Sequence, residues 1–333
     1  MYLSFRYILS FLLITSTFCS MYAQQFYGDN PFAHTFSIVA IDPETGDMGV
    51  AVQSHWFAVG TTVIWGEAGV GVVATQSFIN PAYGPDGLAL MKMGFSAKEA
   101  LKILVEKDEA KAVRQLAFLD ATGNVSNYTG ENCIDYAGSV LGDGYSIQAN
   151  LMSSEQVWPM MAKAFEESKG MPLAERLVLA LEAGQKAGGD LRGRQSASIL
   201  VVRAKSTGKI WQDRLVDLRV EDHPNPVQEL KRLVKVHTAY GHMNSGDQAL
   251  ESGDIPKAIE EYGMAEKLIP DNVEMKYWHA VTLANLHRLD EALPLFEIAF
   301  HESDNWRIVT RNLIKSNLLE ISPKELDEIL SIQ

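Results

Sequence analysis

Cysteine is nearly absent from this sequence, which has only Cys19 and Cys133. Cys19 falls within the N-terminal export signal described below, so one cysteine would remain after export. No intramolecular disulfide is then available, and the fold must rest on core packing. Cys133, in Glu131-Asn132-Cys133, reads as a small buried hydrophobe, and no His or carboxylate spacing around it suggests a metal. Positive charge is also scarce. Against 42 Asp and Glu stand 29 Lys and Arg, a net charge of −13 that repels phosphate backbones and argues against a nucleic-acid partner. No Gly-Lys-Ser or Gly-Lys-Thr occurs, so no phosphate-binding loop of that kind is present. No apolar run reaches the ~20 residues that span a bilayer. Lysine is missing before Lys92.

The longest apolar run is Tyr7–Phe18, preceded by Arg6 and followed by Met21-Tyr22-Ala23. That order of positive, apolar and small residues predicts a cleavable signal over residues 1–23 and an exported, periplasmic or secreted protein with no transmembrane segment in the mature chain. A membrane anchor is the rival, but the run is too short. A lipoprotein cut before Cys19 would set bulky Phe18 beside it. Residues 24–34 form a polar leader with glycine, proline and asparagine, suited to a propeptide or linker. With 333 residues, 47% of them hydrophobic, the remainder should hold two domains with ample cores.

The first domain, expected over residues 35–237, opens on Thr35-Phe36-Ser37-Ile38-Val39-Ala40-Ile41. A turn cluster, Asp42-Pro43-Glu44-Thr45-Gly46-Asp47, leads to a return strand ending at Val52-Gln53-Ser54. Further β runs are read at Val70–Ala74, Gln115–Leu119, Tyr145–Ala149, Ile199–Val202 and Leu215–Val220, with a hairpin turn at Asp120–Asn124. Ser96 and Glu99 make a capping box ahead of a helix. A second helix follows Ser153 with Met160, Met161, Ala164 and Phe165 on one stripe. A third, over Leu173–Gly184, turns Leu177, Ala180, Leu181 and Gly184 inward. Hairpins first, then helices, then strands, predict an α+β fold of antiparallel sheets covered by helices.

Three clusters can carry chemistry. A cut before Thr35 would give one residue both a hydroxyl nucleophile and an α-amine base. The strand-end amides and hydroxyls Gln53, Ser54, Gln76 and Asn80 are of the types that donate to an oxyanion or a substrate. Ser54-His55 resembles a nucleophile–base pair only on paper, because adjacent strand residues point to opposite faces. The Gly-rich stretch Gly188-Gly189-Asp190-Leu191-Arg192-Gly193-Arg194-Gln195 combines close backbone approach with arginine forks that read carboxylates. A structural Asp190–arginine pair is its alternative.

From residue 238 to 333 the β signal stops and a 34-residue self-similarity begins. It pairs Gly246 with Ala280, Ala258 with Ala292, Tyr262 with Phe296 and Ala265 with Ala299. Small residues let helices approach and the aromatic fills the gap, the tetratricopeptide pattern. Two copies and a helical tail over Leu313–Leu330 form an all-α repeat domain, either a surface for protein partners and homo-oligomers or a stabilising appendage.

Taken together, Thr35–Ala40, Gly49–Ser54, Ala74-Thr75-Gln76, Asn80–Gly84, Gly188–Ser196 and Asp213–Val220 resemble one family. It is domain of unknown function 1028, placed in the N-terminal nucleophile (Ntn) hydrolase superfamily. The resemblance implies a four-layer αββα sandwich similar to proteasome β subunits, with Thr35 as nucleophile. In members that begin Met-Thr, removing the initiator exposes the threonine; here a different cut is required, autocatalytic or by a protease. Proteasome-type sites also set a lysine beside the threonine, and none occurs near it in this sequence.

The reading is therefore an N-terminal-threonine amidohydrolase, needing no cofactor or metal and acting on the C–N bond of a small amide or short peptide. Thr35 is nucleophile and base, backbone N–H groups and an amide such as Gln76 or Asn80 hold the oxyanion, and Gln53, Ser54, Asp190, Arg192, Arg194 and Gln195 bind substrate. The alternative is an exported, non-catalytic scaffold that recruits protein partners through its repeats.

Overall fold

The computed structural model describes residues 32, 33 and 35–332. The signal sequence, and residues 24–31 and His34 of the leader, lie outside the described residues. The chain divides into two units, one ending at Lys231 and the other starting at Arg232, with the division inside one long helix.

The first unit is α+β and contains two antiparallel sheets. The larger has six strands in the order β11-β10-β3-β2-β9-β8. These are β2 (Thr35–Ile41), β3 (Met48–Ser54), β8 (Gly138–Gly142), β9 (Tyr145–Ala149), β10 (Ser196–Val202) and β11 (Arg214–Val220). The other comprises β1 (Phe32–Ala33), β4 (Ile64–Glu67), β5 (Gly71–Phe78), β6 (Arg114–Asp120) and β7 (Val125–Thr129), with both β1 and β4 on β5. Alternation decides what each face does. Val39, Val50, Val52, Leu200 and Val202 from one sheet meet Val72, Ala74, Ala117 and Leu119 from the other in a single core. The opposite face of the smaller sheet, through Val73, Leu116 and Phe118, packs on α1 (Tyr83–Lys92) and α2 (Ala97–Lys107).

Over the larger sheet lie α3 (Val157–Glu167) and α4 (Leu173–Lys186). Gly49 has Leu177 so close that a Cβ would sit 2.5 Å from its Cδ1. The α3 stripe is narrower than the sequence pattern: Met161 and Phe165 are buried, but Met160 is 40% exposed. The Ser96–Glu99 capping box forms with both of its bonds and starts α2. A four-residue turn of helix, α5 (Ile210–Asp213), precedes β11.

The second unit is helical throughout its described length. It continues α6 (Pro226–Glu251) and adds α7 (Ile255–Leu268), α8 (Val273–Asn285), α9 (Leu289–Glu302), α10 (Asn305–Lys315) and α11 (Pro323–Leu330). Ala258, Tyr262 and Ala265 of α7 are buried, as are Ala292, Phe296 and Ala299 of α9. Gly246 faces the Tyr262 ring, where a Cβ would come within 3.0 Å. Among the described residues no helix is long and apolar enough to cross a membrane.

Candidate functional site at the head of β2

Thr35 opens β2 and is buried. It shares strand parity with Ser37 and Val39, whose side chains meet the other sheet, so its side chain faces the space between the sheets. The register sets Thr35 opposite Ser54 of β3, and Ser54 opposite Ser196 of β10. Three hydroxyl residues thus stand in a row on one face. Ser196 is committed to the chain after β3: its Oγ accepts from Val59 N–H at 3.1 Å and donates to the Trp56 carbonyl at 2.5 Å.

The Thr35 carbonyl is clamped by Asn150 N–H at 3.1 Å, Gln76 Nε2 at 3.1 Å and, at 3.4 Å, Asn150 Nδ2. Behind this clamp runs a buried polar network between the sheets. Gln115 Oε1 accepts from Gln76 Nε2 (2.7 Å) and Asn150 Nδ2 (2.9 Å), while its own Nε2 donates to Thr129 Oγ1 and the Ala149 carbonyl. Ser37 Oγ donates to Gln76 Oε1 at 2.6 Å and accepts from Gln148 Nε2. Ser146 Oγ then donates to Gln148 Oε1, and Asn127 Nδ2 to Ser146 Oγ. These groups largely satisfy one another, as burial requires.

The residues expected to act together do not all meet at Thr35. Gln76 is at the site, but its Nε2 is spent on Thr35, Gln115 and Gln148. It positions Thr35 and is not an open oxyanion donor. Asn80 stands across β5 from Thr35: its carbonyl accepts from Thr75 Oγ1, on the helix-facing side of the strand, and its Oδ1 caps Ala82 N–H. There it borders a cavity of about 280 Å³ with Tyr83 and Asp108. Burial, then the bond to Asp108, raise the Tyr83 phenol. Burial alone would raise Asp108 as well, but Arg114, Ala110 N–H and Tyr83 hold it below the usual range.

Gln53 alternates with Ser54 and therefore faces the helices; both of its buried amide atoms have no partner. Asp190 is the structural partner foreseen as the alternative. Its carboxylate accepts from Arg192 N–H, Nε and Nη2 and from His55 N–H. Arg192 is thereby fixed near the head of β2 with 28% of its side chain exposed. Gly188 makes the tight path of this loop possible, with φ of +123° and Ser153 Oγ 1.9 Å from where a Cβ would stand. Arg194 turns outward to Asn225 Oδ1 at 2.7 Å. Gln195 donates its N–H to the Ser54 carbonyl. Cys133 is buried with a free thiol that burial pushes up.

Among the described residues no group of three or more His, Cys, Asp or Glu side chains is arranged to hold a metal. Sequence reasoning missed Ser37, Gln115, Gln148, Asn150 and Ser196 as parts of the site. For all but Asn150, which follows the end of β9, the signal is a polar residue at an inward position of an otherwise apolar strand.

This chain belongs to the family of unknown function DUF1028, whose model matches residues 35–230. The crystal structure of protein SPO2555 from Silicibacter pomeroyi, assigned to the same family, is 31% identical with a TM-score of 0.55. The match covers 61% of this chain and 85% of that one. Anbu (ancestral beta-subunit) from Yersinia bercovieri matches at 12% identity and a TM-score of 0.31 over 60% of this chain and 92% of that one, too distant to argue from. No curated protein matches significantly.

Proposed function

We propose that this protein is an exported, periplasmic or secreted N-terminal-threonine amidohydrolase of the Ntn type, active once the chain is cut before Thr35. The carrying observation is the placement of Thr35. It heads a central strand, faces the space between two sheets, and has its carbonyl fixed by three donors, one from Gln76 of β5 and two from Asn150 just past the end of β9. The family match also begins at Thr35 itself. Two facing antiparallel sheets with helices outside are the layers that an αββα sandwich requires.

In this mechanism the freed α-amine takes the Thr35 hydroxyl proton as Oγ attacks the amide carbonyl. The tetrahedral intermediate collapses, the C–N bond breaks, and the ammonium gives its proton to the departing amine. Water, deprotonated by the same amine, then attacks the threonyl ester; the acyl C–Oγ bond breaks, the ammonium returns its proton to Oγ, and the carboxylic acid leaves. Gln76, Gln115 and Asn150 hold Thr35 in place, and Arg192, anchored on Asp190, offers positive charge to a substrate carboxylate.

The second unit reads as tetratricopeptide-like helix pairs that offer a surface to a protein partner. The support is the burial of Ala258, Tyr262 and Ala265 together with their counterparts Ala292, Phe296 and Ala299.

The test is protein expressed with Thr35 directly after a removable methionine, its N-terminus checked by mass, and screened by amine release from acylated amino acids and short peptides. Thr35→Ser should retain part of the turnover, while Thr35→Ala should fold and lose about a thousandfold or more. Full activity in Thr35→Ala would make Thr35 a strand residue and nothing else.

A further inference from the structure

Phe32 and Ala33 do not pair beside β2; they belong to the other sheet. β1 pairs antiparallel with the end of β5, Phe32 opposite Phe78 and Ala33 opposite Ser77. On that edge of β5, β4 covers only Gly71–Ala74, and on the other side Ser77 pairs with Arg114 of β6. Among the described residues, β1 is thus the strand neighbour of Ser77 and Phe78 on this edge.

Two observations set the edge apart. Ser77 has φ of 71°, and of the described non-glycine residues with positive φ it alone lies inside a strand. Backbone held in that region tends to mark sites where ligands are gripped. Its buried hydroxyl has no nitrogen or oxygen partner, only the weakly accepting Cys133 sulfur beside it. The edge is also tied to the nucleophile, because the adjacent residue, Gln76, donates Nε2 to the Thr35 carbonyl.

A cut before Thr35 makes residues 32–34 the acyl half of a broken amide. Any substrate that Thr35 Oγ attacks presents its own acyl half to the same atom. Resting on the proposed nucleophile, we infer that the β5 edge at Ser77–Phe78 is the acyl-side subsite, filled by the leader before processing and by substrate afterwards. The substrate is then a peptide, extended over at least the two residues before the one whose carbonyl is attacked, which adds to β5 as an antiparallel strand. Such pairing is made by main-chain groups and reads an extended backbone more than any one side chain.

The experiment uses the chain from residue 35 to 333 carrying Thr35→Ala, which binds without turnover, its fold checked by circular dichroism. Two peptides of the sequence Asn-Pro-Phe-Ala-His are titrated calorimetrically, one unmodified and one N-methylated at Phe and Ala. Amide exchange is followed at residues 77 and 78. The unmodified peptide should bind at least about tenfold more tightly, and it alone should slow exchange at the one of those two amides that points to the open edge. Equal affinities, unchanged exchange, or no binding by either peptide at millimolar concentration would overturn the subsite. Pairing in this variant, alongside unimpaired turnover by Thr35→Ala elsewhere, would instead sink the catalytic reading and leave the subsite standing.

Discussion

Gln115 is the hub of the polar network, and replacing it by leucine tests whether that network holds the two sheets together. Leucine approximates its volume, so the cavity term is small and the loss is polar. Two short bonds to Oε1 disappear, from Gln76 Nε2 at 2.7 Å and Asn150 Nδ2 at 2.9 Å, as do the Nε2 bonds to Thr129 Oγ1 and the Ala149 carbonyl. Gln76 Nε2 keeps the Thr35 and Gln148 carbonyls, and Asn150 Nδ2 keeps only the 3.4 Å contact to Thr35. With about 1 kcal/mol net for each of the four lost bonds, partly offset by the apolar contacts of the buried leucine, the cost is about 3–4 kcal/mol. Opening of the first unit should then become about a hundredfold to a thousandfold more frequent. Hydrogen exchange read by mass spectrometry on peptides from β2, β5, β6 and β9 measures this directly, with α7–α9 followed separately. A change under about fivefold would mean the network contributes little and that apolar packing alone fixes the strands.

Acid should weaken one tie between α4 and the start of α6. Burial would raise Glu182, but bonds from Lys231, Gln228 and Lys186 bring its carboxyl down to about 2 from an ordinary 4.5. A carboxylate with a lowered folded value stabilises the fold above the unfolded value, so stability should fall as pH drops from 4.5 towards 2. Glu182→Gln should flatten that part of a denaturation-versus-pH curve, and an unchanged slope would rule the tie out. Gly71→Ala should cost about 2–3 kcal/mol by urea titration, since its Cβ would lie 2.3 Å from the Leu119 carbonyl. Gly263→Ala, in helix α7 with open space around it, should instead gain up to about 1 kcal/mol; losses of similar size at both positions would discredit the clash.

The strands were legible where alternation was strong and both faces buried, as in β2, β3, β6, β9 and β10. β4 and β8 escaped because they are mostly half-exposed, and β8 carries Gly138 and Gly142 where the chain packs on Trp158 and Tyr145. α1 was hidden for a related reason. Gly84 and Gly87 lower its helical signal, yet a Cβ at either would strike Trp65 or Phe118, so the helix needs them to lie close on the sheet. The site was legible only in part. Thr35 and the Asp190–Arg192 loop announce themselves locally. Gln115, Gln148 and Asn150 do not, because their partners come from strands up to 115 residues away, and a polar strand end has the same local sequence whether it is solvated or paired.

The distribution of polarity between the sheets bears on the proposed mechanism. Towards the far end of β2 the intersheet core is apolar, with Val39, Met48, Val72 and Leu119. Towards Thr35 it becomes Ser37, Gln76, Gln115, Gln148 and Asn150, all buried. Stability alone does not ask for this change, since apolar groups of matching shape can replace a buried hydrogen-bonded set at little cost. Apolar packing is non-directional, however, and leaves a terminal residue free to shift by small distances. Hydrogen bonds to the Thr35 carbonyl fix both where that residue sits and how its backbone is turned, which sets the direction of its side chain. A nucleophile whose base is its own amine has no neighbouring chain on one side to hold it after the cut. The carbonyl is then a backbone anchor beyond the strand ladder, and three donors converge on it. Positioning to within about half an ångström is what attack on a carbonyl demands, and a polar half-core is a means of supplying it.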